Sequence, residues 1–159
     1  MDKKKLIQFL AQQTALELAA ITQAAKNTYD IATHEDNKAE NKYDTRGLEA
    51  SYLAGAQAKR VADMKEVLGI FENLPIKNFT EEDPIAPTAL VEVLLQNKTS
   101  FVLLMPKGGG QTVTFDKHPV QVITPESPLG KNLIGRYVGD IIAFETREQK
   151  REYEIISVK

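Results

Sequence analysis

All seven prolines of this chain lie beyond residue 74, and none interrupts the stretch from Lys4 to Phe71. Proline removes a backbone donor and clashes with the preceding helical turn, so a long proline-free stretch permits continuous helix. Its residues are mostly Ala, Leu, Gln, Glu and Lys, which favour helix. Leu10, Thr14, Leu18, Ile21, Ala25, Thr28 and Ile31 recur at three- and four-residue steps, with Ala11, Ala15 and Ala24 widening the stripe. Val61, Met64, Leu68 and Phe71 repeat that period in the second half. Between the halves, His34 to Lys42 is polar and offers nothing for a buried seam. Two amphipathic helices so separated cover each other by folding back as an antiparallel hairpin. A helix of roughly 28 residues, at about 1.5 Å per residue, puts the bend on the order of 40 Å from the base. A compact helical bundle could use the same stripes, and Gly47 and Gly55 weaken the second helix locally.

Past Pro75 the texture changes to short apolar runs and turns. Ala89–Leu95 and Phe101–Met105 flank the polar turn Gln96–Ser100 and read as a β-hairpin. Val120–Ile123 reads as a further strand, and Ile141–Glu145 with Glu152–Ile156 as a closing hairpin. Leu129–Ile134 is a short helix ended by Gly135, entered through Ser127 as N-cap and Pro128 at the first helical position. The expected class is α+β: a helical hairpin over residues 1–74, then a small antiparallel sheet with one short helix over 75–159. Residues from about Asn73 to Pro87 serve as the linker.

The chemistry available is narrow. With 42% apolar and 26% charged residues and a formal net charge of −2, the chain is an ordinary globular one. Near-neutral charge argues against a broad basic surface for nucleic acid, whose affinity comes from phosphate neutralisation. The absence of Cys excludes disulfides, thiolate zinc sites and thiol nucleophiles, and only His34 and His118 supply imidazoles. The start, Met1 to Lys5, is basic, but Gln8, Gln12 and Gln13 interrupt the apolar run after it, so neither a signal peptide nor a membrane span is expected. A monomer in a reducing cytoplasm fits. Gly108-Gly109-Gly110 is followed by no Lys-Ser or Lys-Thr and reads as a flexible turn. His118 beside Pro119 reads as a turn histidine, and no nucleophile–base pair stands out, so the chain is not expected to be an enzyme.

Asp36, Glu40 and Asp44 stand at four-residue steps, with Lys38, Lys42 and Arg46 two residues out of phase, so on a continuous helix the two sets would occupy opposite faces. A charged turn of this kind is by itself a solvated one.

A helical hairpin followed by a small sheet domain resembles the bacterial transcript-cleavage factors GreA and GreB. The segment Val122 to Asp140 is similar to the family's run of an acidic residue, Ser-Pro, a short helix with Leu-Ile, and a Gly-Asp turn. Arg151–Ile156 looks like the family's closing strand. The resemblance implies an FKBP-like C-terminal domain that docks at the rim of the secondary channel of RNA polymerase, with Glu126, Ser127, Pro128 and Leu129 as docking candidates. The hairpin would enter the channel and meet the RNA 3′ end only there. Family members that stimulate cleavage carry Asp, Leu, one variable residue and then Glu-Asn, with Tyr seven residues after the Asp. Asp36 and Tyr43 keep that interval, but Asn37 replaces the Leu, Ala39 stands at the Glu position, and Glu40-Asn41 falls one place later. Carried over, Asp36 and Glu40 would donate oxygen ligands to Mg²⁺ shared with the polymerase active site; Mg²⁺ takes such hard ligands. The expected function is stimulation of the polymerase's own cleavage of backtracked RNA. The alternative is a secondary-channel regulator of initiation that does not cleave. A remote one is prolyl isomerase activity, on fold alone.

Overall fold

The structure is a computed structural model that describes residues 1–33, 46–95, 98–145 and 150–159. It divides into two compact units, Ile7–Asn73 on the one hand and Leu74–Lys159 together with Met1–Leu6 on the other.

The first unit is built from α1 (Lys3–Thr33) and α2 (Arg46–Asn73). The expected stripes are the inward positions: Leu10 and Thr14 are buried, and Leu18, Ile21, Ala25 and Thr28 half-buried. On α2 the matching row is Ala54, Gln57, Val61, Met64, Leu68 and Phe71. Ala15 and Ala24, expected to widen the stripe, are exposed, because a helix with one neighbour buries one narrow ridge. The helices run antiparallel: Arg60 Nη2 donates to Glu17 Oε1 at 3.2 Å, whereas Ser51 shares a cavity wall with Thr33. Thr28 and Thr33 return their hydroxyls to the carbonyls of Ala24 and Tyr29, which keeps polar side chains compatible with helix. Asn73 Nδ2 donates to the Gly69 carbonyl at 2.9 Å and satisfies one of the open carbonyls at the end of α2.

The second unit holds β1 (Leu90–Leu95), β2 (Lys98–Leu104), β3 (Gln111–Phe115), β4 (His118–Ile123), α3 (Pro128–Leu133), β5 (Ile141–Glu145) and β6 (Lys150–Val158). They form one six-stranded sheet in the order β3-β4-β2-β1-β6-β5. The α+β class stands, but the sheet is mixed: β2 and β4 run parallel, with Phe101 opposite Val120 and Leu104 opposite Ile123. The reason is β3, a strand the sequence reading lacked. It pairs with β4 across a tight turn, Asp116-Lys117, both at positive φ (49° and 66°), so the chain returns beside β2 in β2's own direction. Such turns favour Asn-Gly or Asp-Gly; Lys117 in place of Gly hides the signal.

One face of the sheet packs Val91, Val93, Val102, Leu104, Ile142 and Ile155 against Leu129 and Leu133 of α3. On the other face Leu90, Leu103, Val120 and Val122 are equally buried, which explains why β1 and β2 read as continuous apolar runs. The expected linker over Asn73–Pro87 belongs to this unit. Phe79 and Ile85 enter its core, and Ile85 exchanges backbone hydrogen bonds with Gly135 and Arg136 at 2.8 Å. The first residues of α1 join it as well, where 1–74 was expected to be one domain. Lys3 Nζ donates to the carbonyls of Lys77 and Lys159 at 2.5 and 2.6 Å and lies 4.8 Å from the centre of the Phe79 ring.

Candidate functional site

Two regions were singled out by sequence, and only one is described. Asp36 and Glu40, with His34, Asn37, Ala39 and Tyr43, lie outside the described residues; residues 34–45 connect Thr33 of α1 to Arg46 of α2.

The second region, Thr124 to Asp140, is held by backbone chemistry at every step. Ser127 is the N-cap of α3: its Oγ accepts from Gly130 N–H at 3.1 Å and donates to the Thr124 carbonyl at 2.7 Å. The same carbonyl accepts from Ser127 N–H at 3.0 Å. Pro128 opens the helix, where a missing N–H costs nothing. A Cβ on Gly130 would stand 2.0 Å from the Thr124 carbonyl oxygen, so only glycine lets the helix sit this close. Gly109 approaches the preceding peptide, with its would-be Cβ 3.0 Å from Thr124 N and 2.9 Å from Thr124 Cγ2. The three glycines therefore make a tight structural turn, with Gly108 and Gly110 at φ 78° and 94°.

The four docking candidates separate by exposure. Glu126 and Pro128 face solvent, Ser127 is half-buried with its hydroxyl committed to the cap, and Leu129 is a core residue at 9% exposure. Beyond the helix, Ile134 and Tyr137 are 41% and 46% exposed, and Lys131 and Arg136 stand beside them in sequence, also exposed. Tyr137 is fixed by its N–H, which donates to Asp140 Oδ2 at 3.0 Å, and by its carbonyl, which accepts from Asp140 N–H at 3.1 Å. The region thus presents a mixed apolar and charged surface on a hydrogen-bonded turn. The sequence reading did not single out Ile134 and Tyr137; two large apolar residues around Gly135, with neither period two nor a helical period, were the available signal.

Electrostatic perturbation falls elsewhere. Burial pushes the Lys3 ammonium down to about 8. Lys77 donates to Asp83 Oδ1 at 2.7 Å, and Thr80 donates through both N–H and Oγ1 to Oδ2, which together hold the Asp83 carboxyl well below the usual range. Lys77 Nζ also lies 4.7 Å from the centre of the Phe79 ring. These contacts tie backbone to core and line up no reacting groups. His118 is exposed and edge-on to Phe101, with ring centres 5.3 Å apart. Among the described residues no group of three or more His, Asp or Glu could hold a metal ion, and no helix is long and apolar enough to cross a membrane.

Residues 109–159 match the family described as transcription elongation factor GreA/GreB, C-terminal. Over 159 aligned residues the chain is 25% identical to the transcription inhibitor protein Gfh1 of Thermus thermophilus, covering 94% of this chain and 90% of that protein. The Gfh1 protein of Thermus aquaticus is 24% identical, over 94% and 89%. The solved structure of GreA factor homolog 1 from Thermus thermophilus aligns with 94% of both chains at 20% identity, with a TM-score of 0.38. The family match spans β3 to β6 and includes Glu126, Ser127, Pro128 and Leu129.

Proposed function

We propose that this chain, whose residues 109–159 match the C-terminal domain of the GreA/GreB family and which is 25% identical to a Gfh1 protein, is a transcription factor that binds RNA polymerase at the secondary channel and restrains transcription. The observation that carries this reading is a family-matched domain on the same chain as an antiparallel helical hairpin, along nearly the whole length of which the chain resembles proteins named transcription inhibitors. The exposed surface at Glu126, Pro128 and Tyr137 supplies a preorganised dock, and the hairpin supplies a probe whose connecting residues 34–45 would act inside the channel. The protein performs no reaction of its own in this reading; what it changes is the polymerase.

Inhibition is preferred to stimulated cleavage because Ala39 and Asn37 stand where cleavage-stimulating members carry Glu and Leu. A specific observation keeps the second reading in play. Asp36 and Glu40 are still two carboxylates four residues apart, and they could supply oxygen ligands to the Mg²⁺ at which the polymerase hydrolyses backtracked RNA. One preparation of core polymerase separates the two readings. Added protein should lower run-off or abortive synthesis while stalled complexes release no short 3′ RNA fragments. Fragment release that disappears in Asp36→Ala would establish the cleavage reading instead, and no effect in either assay would end both.

A further inference from the structure

In the halves of α1 and α2 nearer residues 34–45, the normal distribution of side chains is inverted. Ile21 apart, the half-buried positions there are small or polar, namely Thr22, Ala25 and Thr28 on α1 and Ala54 and Gln57 on α2. The large apolar residues face outward instead: Tyr29, Leu48, Tyr52 and Leu53 are 60, 57, 72 and 54% exposed. Two adjoining cavities of about 290 Å³ each share Tyr29, Ala54 and Ala58, and together form one groove from Thr33 and Ser51 to Thr22 and Val61. Gly55 lies on its wall, with nothing within 4 Å of where a Cβ would stand. Among the described residues, the one charged side chain in the lining is Lys26, and it makes no ion pair with any of them.

An exposed tyrosine in the lining of an apolar groove marks a surface that a protein covers. What covers it follows from chain connectivity. A partner that receives residues 34–45 must also enclose the helix segments that carry them, and the groove begins at Thr33, the last residue of α1. The groove follows about eleven residues of α1, roughly 16 Å at 1.5 Å per residue, which matches three turns of helix. A helix suits it better than a strand. Both walls are helical and have no free backbone groups to pair with, so an incoming segment must satisfy its own, and a ridge of side chains can enter between two helices.

We infer that this groove seats a helix of the polymerase, apolar along one face and carrying a carboxylate that meets Lys26; this rests on the polymerase reading given above. Tyr29 is the anchor, and the small residues Ala54, Gly55 and Ala58 allow the close approach.

The test measures equilibrium binding of the full chain to core polymerase. Gly55→Leu projects a side chain from a groove position where a Cβ meets nothing within 4 Å, and it replaces a poor helix former by a good one, so its melting temperature should equal or exceed that of the parent. Its affinity should nevertheless fall by at least about tenfold, as for loss of an interface anchor. Tyr29→Ala should fall comparably, and Lys26→Glu should weaken binding and flatten its salt dependence. If the parent binds and Gly55→Leu binds equally well, the groove inference is overturned and the polymerase reading survives. If the parent does not bind polymerase, that reading falls and takes the groove with it. Concentration-dependent self-association of the parent that Gly55→Leu abolishes would assign the groove to a second copy and overturn the inference.

Discussion

At Gly130, a single hydrogen in place of a methyl decides whether α3 can form where it does. The missing Cβ would overlap the Thr124 carbonyl oxygen at 2.0 Å, and that oxygen already receives the Ser127 N–H and hydroxyl. Relief would require moving the helix off the core that Leu129 and Leu133 enter. Gly130→Ala is therefore expected to destabilise the fold by about 2–3 kcal/mol, and Ser127→Ala by about 1 kcal/mol through loss of the cap, both read as shifts in urea midpoint. Ser127→Asp, which can still accept from Gly130 N–H but cannot donate to the Thr124 carbonyl, should recover only part of the second loss. Lys3 gives a prediction of the opposite kind, in pH. Burial lowers its pKa from 10.5 to about 8, so between those values the unfolded chain holds a proton that the folded chain has released. Unfolding free energy then rises with pH across that window, and below about 8 the cost of burying the charge is present in full. Wild type should gain stability relative to Lys3→Met between pH 8 and 10.5 in parallel urea titrations. A relative loss would mean that the carbonyls of Lys77 and Lys159 and the Phe79 ring outweigh desolvation.

Elements differ in how far the sequence determines them. The helices of the hairpin were legible because each has one period and one neighbour, so pattern and burial coincide from Leu10 to Thr28 and from Val61 to Phe71. α3 was legible because Ser127, Pro128 and Gly135 punctuate both of its ends. β3 was not, since Gln111 to Phe115 is half polar and its turn relies on Asp116 and Lys117 in a backbone region that L-residues seldom occupy. Nor was the role of residues 74–87, because Phe79 and Ile85 are isolated apolar residues with no period, and only tertiary contact makes them core. For the docking candidates, sequence named four adjacent residues but not which of them are exposed. Leu129 and Pro128 are adjacent and both apolar, and only the helix phase sends one inward and the other out. The hairpin carries its own prediction. Gln57 faces the seam, and its Oε1 is buried with no hydrogen-bond partner among the described residues. An unsatisfied acceptor costs about 1–3 kcal/mol, so Gln57→Leu should stabilise the hairpin by on the order of 1 kcal/mol. Its thermal midpoint should rise; a fall would show that a solvent molecule satisfies the amide.

For the molecule as a whole, the proposed dock and the proposed point of action sit on different compact units: Glu126, Pro128 and Tyr137 belong to the unit with Leu74–Lys159, whereas residues 34–45 connect the helices of the other. Affinity and effect should therefore separate under mutation. Pro128→Glu places a charge on an exposed, partly apolar contact, where desolvation without a partner is costly. Glutamate at the first helical turn suits the helix dipole, so the fold should survive the change. Leu129 is the wrong choice for this experiment, because a charge there would enter the core and unfold the domain. Pro128→Glu is expected to weaken polymerase binding by at least about tenfold, while Asp36→Asn leaves binding close to that of the parent. The Asp36→Asn protein should then compete with the parent for polymerase, and the Pro128→Glu protein should not. Equal melting curves for the three proteins make the comparison one of binding. If Asp36→Asn loses as much affinity as Pro128→Glu, residues 34–45 are themselves part of the dock, and binding and effect cannot be assigned to separate units.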